Sequence, residues 1–169
     1  MLFRSQAAAV LTFLCPGLRF FHQGQAEGRA KHIPVHLGRG PNEPTNAELL
    51  QFYERLVSCL RRSEAQETDW HLLECTPAWD GNWTSDCFIC FGWRRFGSSS
   101  LLVAVNYSSH QSQCHVHIPF DEFRGKYVHL RDLMGPEMYD REGDEICSQG
   151  LYLDLPAWGY NVFEMSAAE

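Results

Sequence analysis

The 169-residue sequence has no long run of basic residues: its 14 lysines and arginines are dispersed, with Arg61-Arg62 and Arg94-Arg95 the densest groups, and 21 acidic residues leave a formal net charge of −7. A sequence-independent grip on nucleic acid rests on neutralising phosphates with Lys and Arg, so this balance argues against that partner. Nor is there a membrane-length apolar run. The longest early one, Ala7 to Leu14 behind Arg4, is too short for a span. It leads through Leu14-Cys15-Pro16-Gly17 straight into Leu18-Arg-Phe-Phe21, not into the small-residue cleavage site of a secretory signal. A short buried helix broken by Pro16-Gly17 is expected instead. The cysteines, at 15, 59, 75, 87, 90, 114 and 147, are odd in number, unlike a secreted disulfide framework. Cys87-Phe-Ile-Cys90 lacks a second CxxC, and on a strand positions 87 and 90 face opposite ways. Reduced, mostly buried thiols, no metal, no cofactor and a cytoplasmic setting are the expectations.

What is present is a globular composition. With 44% hydrophobic and 13% aromatic residues, the chain can fill the core of one ordinary domain, or of a domain of about 100 residues with a smaller attachment. Leu18 to Phe21 reads as a buried strand ending in polar side chains, and the stretch from Ala30 to Pro44, with Gly38, Gly40, Pro34, Pro41 and Pro44, reads as irregular. Thr45-Asn-Ala-Glu48 has the form of a capping box. Behind it Leu49, Leu50, Phe52, Tyr53, Leu56, Val57 and Leu60 recur at helical spacing, closed by Arg61 and Arg62 where cations favour the helix dipole.

From Trp70 the period changes to two. Strands are predicted at Trp70–Cys75, Cys87–Arg94, Leu101–Tyr107, Gln113–Ile118, Lys126–Asp132, Gly150–Leu155 and Gly159–Met165. Turn residues punctuate them, among them Asp80-Gly81-Asn82, Gly97 to Ser100 and Gly143-Asp144. Seven such strands in about 100 residues point to an antiparallel β-sandwich.

Several smaller features bear on chemistry. Asp121-Glu122, Asp140 with Glu142, and Asp144-Glu145 are adjacent or alternating acids, expected in solvated turns where nothing would tune one carboxyl against another. His115 and His117 share a strand face; a zinc site needs three or four ligands, so an exposed polar face is expected. Trp79-Asp-Gly-Asn-Trp83 puts two indoles beside a tight turn, able to stack on sugar rings, though packing is the favoured reading. The sequons at Asn82 and Asn106 carry no weight.

Taken together, the Pro16-Gly17 turn, the strand Leu18–Phe21, the Gly24-Gln25-Ala26-Glu27 segment, the helix from Asn46 to Arg62 and the closing strands resemble the end of an α-amylase superfamily enzyme (glycoside hydrolase family 13). The closing part contains Val-Ala-Val-Asn-Tyr107, an Asp132-Leu-Met-Gly turn and a final Val-Phe-Glu164. The resemblance implies a mainly β chain: an antiparallel β-sandwich, residues 67–169, preceded by a strand-loop-helix remnant of a (β/α)8 barrel, residues 1–66. It implies α-glucan or maltooligosaccharide as ligand, the missing barrel portion as partner, and substrate contacts at His22 and Gln23, which follow the strand. Retaining glycoside hydrolysis needs two carboxyl groups about 5 Å apart. In the family these lie on barrel strands without counterpart here, so no catalytic residue is expected and the chain would be inactive alone. The competing expectation is a stand-alone sugar-binding or interaction module.

Overall fold

The computed structural model describes residues 2–31, 36, 38–62, 69–95 and 99–168. The expected turn at Gly97–Ser100 and the irregular stretch at 30–44 lie partly outside them. A helix at Leu2–Leu14 (α1) and another at Ala47–Leu60 (α2) precede the strands Trp70–Leu73 (β1), Cys75–Thr76 (β2), Phe88–Trp93 (β3), Ser100–Asn106 (β4), Ser112–Val116 (β5), Tyr127–Asp132 (β6) and Met138–Glu142 (β7). A short helix at Gly143–Gln149 (α3) leads to Leu151–Leu155 (β8) and Tyr160–Ala167 (β9). All pairings are antiparallel. One sheet runs β1-β3-β4-β9-β6-β7 and the other β2-β5-β8, so the fold is mainly β, as the alternation predicts.

The larger sheet is covered on both faces, and β4 shows why its sequence is so apolar. Leu102 and Ala104 face the core between the sheets, with Cys90, Cys114, Leu130, Phe163 and Met165. Leu101, Val103 and Val105 face the opposite way, into a second core with Ala7, Val10, Phe13 and Leu14 of α1, Phe52 and Leu56 of α2, and Phe91 and Trp93 of β3. A strand buried on both sides loses its polar half-period. Each fully buried leucine side chain contributes about 2 kcal/mol relative to exposure, so the helical layer stabilises the sheet as well as itself.

The ends of the helices depart from expectation in instructive ways. The cap of α2 is Asn46, whose Oδ1 accepts from the Leu49 amide at 3.0 Å. Thr45 therefore lies one residue outside the cap and the expected box does not form; Asn ranks above Thr at this position. Arg62 pairs with Glu164 of β9, and Arg131 of β6 donates to the same carboxylate at 2.7 Å, tying the end of α2 to the sheet. At the end of α1, Trp93 Nε1 donates to the Leu14 carbonyl at 2.8 Å and Arg19 Nε to the Phe13 carbonyl at 2.6 Å. These satisfy acceptors that a helix terminus leaves open, and Gly17 takes the turn with φ +125°.

Four other expectations need correction. Leu18–Phe21 is not a buried strand: no sheet among the described residues pairs with it, Leu18 is 98% exposed and Phe20 67%. Of its apolar side chains Phe21 is the one that packs on the helices, its ring stacked on Phe13 at 4.0 Å. The single strand expected over Trp70–Cys75 is two, because the chain crosses at Glu74 from the larger sheet (β1 on β3) to the smaller (β2 on β5). Gly143-Asp144 is not a turn but the start of α3, and a Cβ at Gly143 would collide with the Phe123 carbonyl. Finally β7 escapes the period-two reading, since all five of its residues are exposed and only pairing with β6 defines it.

Candidate functional site

The loop that follows α1 is held from inside by Gln25. Its Oε1 accepts from the His22 amide at 3.1 Å and its Nε2 donates to the Tyr53 hydroxyl at 2.8 Å. Gly24 and Gly28 carry φ of +83° and +72°, conformations that glycine alone adopts freely. The Arg29 amide returns to the Gly24 carbonyl at 2.9 Å, and Asn46 to Glu27 at 3.0 Å. His22 and Gln23 are thereby presented on the outside of a well-tied loop, both exposed. His22 meets the edge of Phe20 at 5.1 Å. Gln25, which the sequence marks only as part of the Gly24-Gln25-Ala26-Glu27 segment, is the residue that organises the loop.

Two of the three acid pairs are not in turns as expected. Asp140 and Glu142 lie on β7, Asp144 and Glu145 open α3, and Asp121 and Glu122 form a 3₁₀ turn with Phe123. At least one member of each pair holds structure, and Asp121 also pairs with Arg124 at 2.9 Å while Glu142 accepts from the Tyr127 hydroxyl at 3.4 Å. Asp140 pairs with His129, Asp144 accepts from the Gly125 amide at 2.9 Å, and Glu122 receives a two-point contact from Arg94 at 3.0 and 2.7 Å.

The buried acid is Asp132, at the end of β6. Oδ1 accepts from the amides of Met134 and Val162 at 3.1 and 3.0 Å, and Oδ2 from Asn161 Nδ2 at 2.7 Å. Burial pushes its carboxyl above the ordinary value, only partly offset by these bonds, with Glu137 adding like-charge repulsion. Together with Arg55 Nη1, which donates to the Met134 carbonyl at 2.8 Å, these bonds make Asp132-Leu-Met-Gly a clamp between α2, β6 and β9.

His115 of β5 and His117, just past its end, share the half-buried face, as alternation requires. His117 Nε2 lies 3.1 Å from Thr76 Oγ1, and His115 packs its ring on Tyr152 at 5.5 Å. Among the described residues no group of three or more His, Cys, Asp or Glu side chains is arranged to hold a metal ion. All seven cysteines are unpaired. Three of them meet between the sheets, where Cys114 and Cys90 donate to Cys75 and, with nearby His117, hold its thiol well below the ordinary range, while burial pushes Cys90 up. Both sequon asparagines are buried, and Asn106 Nδ2 reaches the carbonyls of His110, Leu155 and Pro156 at 2.8 to 3.1 Å.

Trp79 and Trp83 correct the packing expectation. The turn closes as predicted, Asn82 N to Trp79 O at 3.0 Å with Gly81 at φ +82°, but the two indoles remain 55% and 64% exposed. Trp83 lies beside the His110 ring, at 5.1 Å. Trp93 is buried and Trp158 partly so.

No known family profile matches the sequence and no curated protein is significantly similar to it. Solved structures are another matter. A noncanonic maltogenic α-amylase from Thermotoga neapolitana superimposes with a TM-score of 0.71 over 99% of this chain at 9% identity. The chain has the fold of part of an α-amylase. An α-amylase from Anoxybacillus gives a TM-score of 0.68 over 99% of the chain at 17% identity, and one from Geobacillus thermoleovorans, complexed with acarbose, 0.65 over 97% at 13%. The chain spans about a third of their length: 37%, 33% and 33%. The α-amylase-like architecture therefore includes the two helices and the loop carrying His22 and Gln23, as well as the sandwich. Among the described residues no helix is long and apolar enough to cross a membrane.

Proposed function

We propose that this chain is the C-terminal portion of an α-amylase-type glycoside hydrolase or transglycosidase acting on α-glucosidic linkages, and that it performs no hydrolysis by itself. The observation that carries the reading is the segment after α1. Leu18 and Phe20 project into solvent from an extended stretch without a sheet partner among the described residues, an apolar surface of the kind that marks an interface. The end of a barrel would present such a stretch to its neighbouring stave. The partner is the missing barrel portion, and His22 and Gln23, at the end of this stretch, would face the sugar from it. Acarbose in the Geobacillus structure supports a maltooligosaccharide as ligand. Seven unpaired thiols support a reducing, cytoplasmic setting.

The test is an assay of reducing-sugar release from starch and short maltooligosaccharides by the purified chain, with its oligomeric state measured in parallel. No release is expected, together with association through the N-terminal face that a Leu18→Ser, Phe20→Ser variant abolishes. Release of sugar would overturn the inactive reading, because it would require a carboxylate pair assembled from acids that here hold structure.

The exposure of Trp79 and Trp83 favours a second reading, a module that binds sugar by itself. It requires tryptophan fluorescence to respond to maltooligosaccharide, and a monomeric chain; an unaltered emission spectrum would count against it.

A further inference from the structure

Cys87 and His110 form a pair that neither reading uses. Cys87 Sγ lies 3.6 Å from His110 Nε2, and both residues reach solvent, the histidine exposed and the cysteine half-buried. An imidazole nitrogen within hydrogen-bond reach of a thiol can take its proton, which is the arrangement of an activated nucleophile.

Both partners are held by the strands around them. Cys87 closes a 3₁₀ turn at Thr84–Cys87, and its carbonyl accepts from the Tyr107 amide at 2.8 Å, continuing the ladder in which Phe88 pairs with Asn106. His110 lies in the turn between β4 and β5, where its own carbonyl accepts from Asn106 Nδ2 at 2.8 Å and from Ser108 Oγ at 3.0 Å. Asn106 thus ties the pair together: register sets it opposite the residue after Cys87, and its side chain holds the His110 backbone. The Trp83 ring, 5.1 Å from that of His110, flanks the imidazole. Asp86 precedes the thiol in the chain and is exposed, and the titratable group that meets the Cys87 sulfur is His110.

The other thiols are placed differently. Cys59, Cys90 and Cys114 are buried, Cys75 packs against the core between the sheets, and burial raises Cys15 and Cys147. Cys90, the nearest in sequence, belongs to that core and not to the surface where Cys87 meets His110. A disulfide at Cys87 would therefore be completed by a sulfur from another molecule.

We propose that Cys87 is a site of reversible S-thiolation by a low-molecular-weight disulfide, with His110 as the base. His110 Nε2 takes the thiol proton and Cys87 Sγ attacks one sulfur of the disulfide, so that a new S–S bond forms as the old one breaks. The second sulfur leaves as a thiolate and recovers the proton. One disulfide is exchanged for another, and no further oxidant is consumed.

The test exposes the full native chain to glutathione disulfide at about pH 7, with peptide mass mapping over time. Cys87 should be the first thiol to carry the adduct. His110→Asn should slow that reaction at least about tenfold and keep the turn, because the bonds that hold His110 use its main-chain carbonyl. Above about pH 9.5, where an ordinary thiol ionises unaided, the variant should match the wild type. Equal rates at about pH 7, or a slowing by the same factor at every pH, would overturn His110 as the base. An adduct on Cys15, Cys75 or Cys147 before Cys87 would overturn the site. The adduct is read on the thiol itself, so this outcome is independent of the sugar-release assay.

Discussion

Trp93 on β3 donates its indole N–H to the main-chain carbonyl of Leu14, 79 residues away in sequence, at 2.8 Å. The bond is buried and joins the first helix to the central sheet. It makes the helical layer part of the folding unit, since Phe13, Leu14, Phe52 and Leu56 pack on the same strand face as Trp93 itself.

Replacing Trp93 with Phe keeps most of the packing but leaves the Leu14 carbonyl buried without its donor. An unsatisfied buried acceptor costs about 1–3 kcal/mol. Urea unfolding should show a loss in that range, and hydrogen exchange in α1 should quicken before exchange in β6 does. Unaltered protection of α1 would mean that the helix is held by its side chains alone.

Asn106 predicts a larger effect. Its one amide nitrogen serves three carbonyls, those of His110, Leu155 and Pro156, and its Oδ1 accepts from Ser108 Oγ at 2.7 Å. Asn106→Leu should destabilise by about 3 kcal/mol or more, read as a fall in the urea midpoint. A fall smaller than that of Trp93→Phe would show that water replaces the amide.

Asp132 gives a pH dependence of unusual sign. Its carboxyl is raised above 3.8 in the folded chain, so the folded state holds the proton longer than the unfolded one. Its contribution is most favourable at low pH and diminishes as pH rises from about 4 through the folded value. Asp132→Asn should flatten that part of the stability profile while Glu137→Gln shifts it only slightly, because Glu137 is the least of the causes. Stability that rises over this window because of Asp132, seen as a steeper fall with pH in the Asn variant, would contradict the assignment.

Of the three thiols that meet between the sheets, Cys75 should be alkylated before Cys90 and Cys114. Two neighbouring S–H groups and His117 stabilise its thiolate, and it is only partly buried, whereas burial raises Cys59, Cys90 and Cys147. Iodoacetamide followed by peptide mapping should place the fastest label of the three there, and Cys114→Ser should alter its rate severalfold. Prior labelling of Cys90 would show that the buried thiols are the reactive ones.

How much of this is legible in the sequence differs from element to element. Strands β5, β6 and β8 follow from the period-two alternation that one buried side imposes, β3, β4 and β9 from apolar runs bounded by turn residues, and α2 from its 3.6-residue apolar face. Leu18–Phe21 misleads because apolar residues in a short run are equally consistent with a core strand and with an uncovered interface, and β-structure exists only where a neighbour supplies hydrogen bonds. For the converse reason β7 is invisible: Met138–Glu142 is exposed throughout and is a strand because β6 pairs with it. Trp79 and Trp83 defeat the packing expectation since aromatic content does not say which side of a turn meets solvent.

The sequence alone determined the mainly β class, the two helices, the lack of a basic or membrane-spanning segment, and the α-amylase likeness of the closing strands, because composition and short-range periodicity encode burial locally. Tertiary structure alone decided that the large sheet carries a core on each face and that Asp132 is a clamp. It also decided that Trp93 caps a helix ending 79 residues earlier. Those relationships join residues distant in sequence, and which distant residues meet is settled by strand pairing and sheet packing, energies that belong to the whole chain and leave no spacing to read.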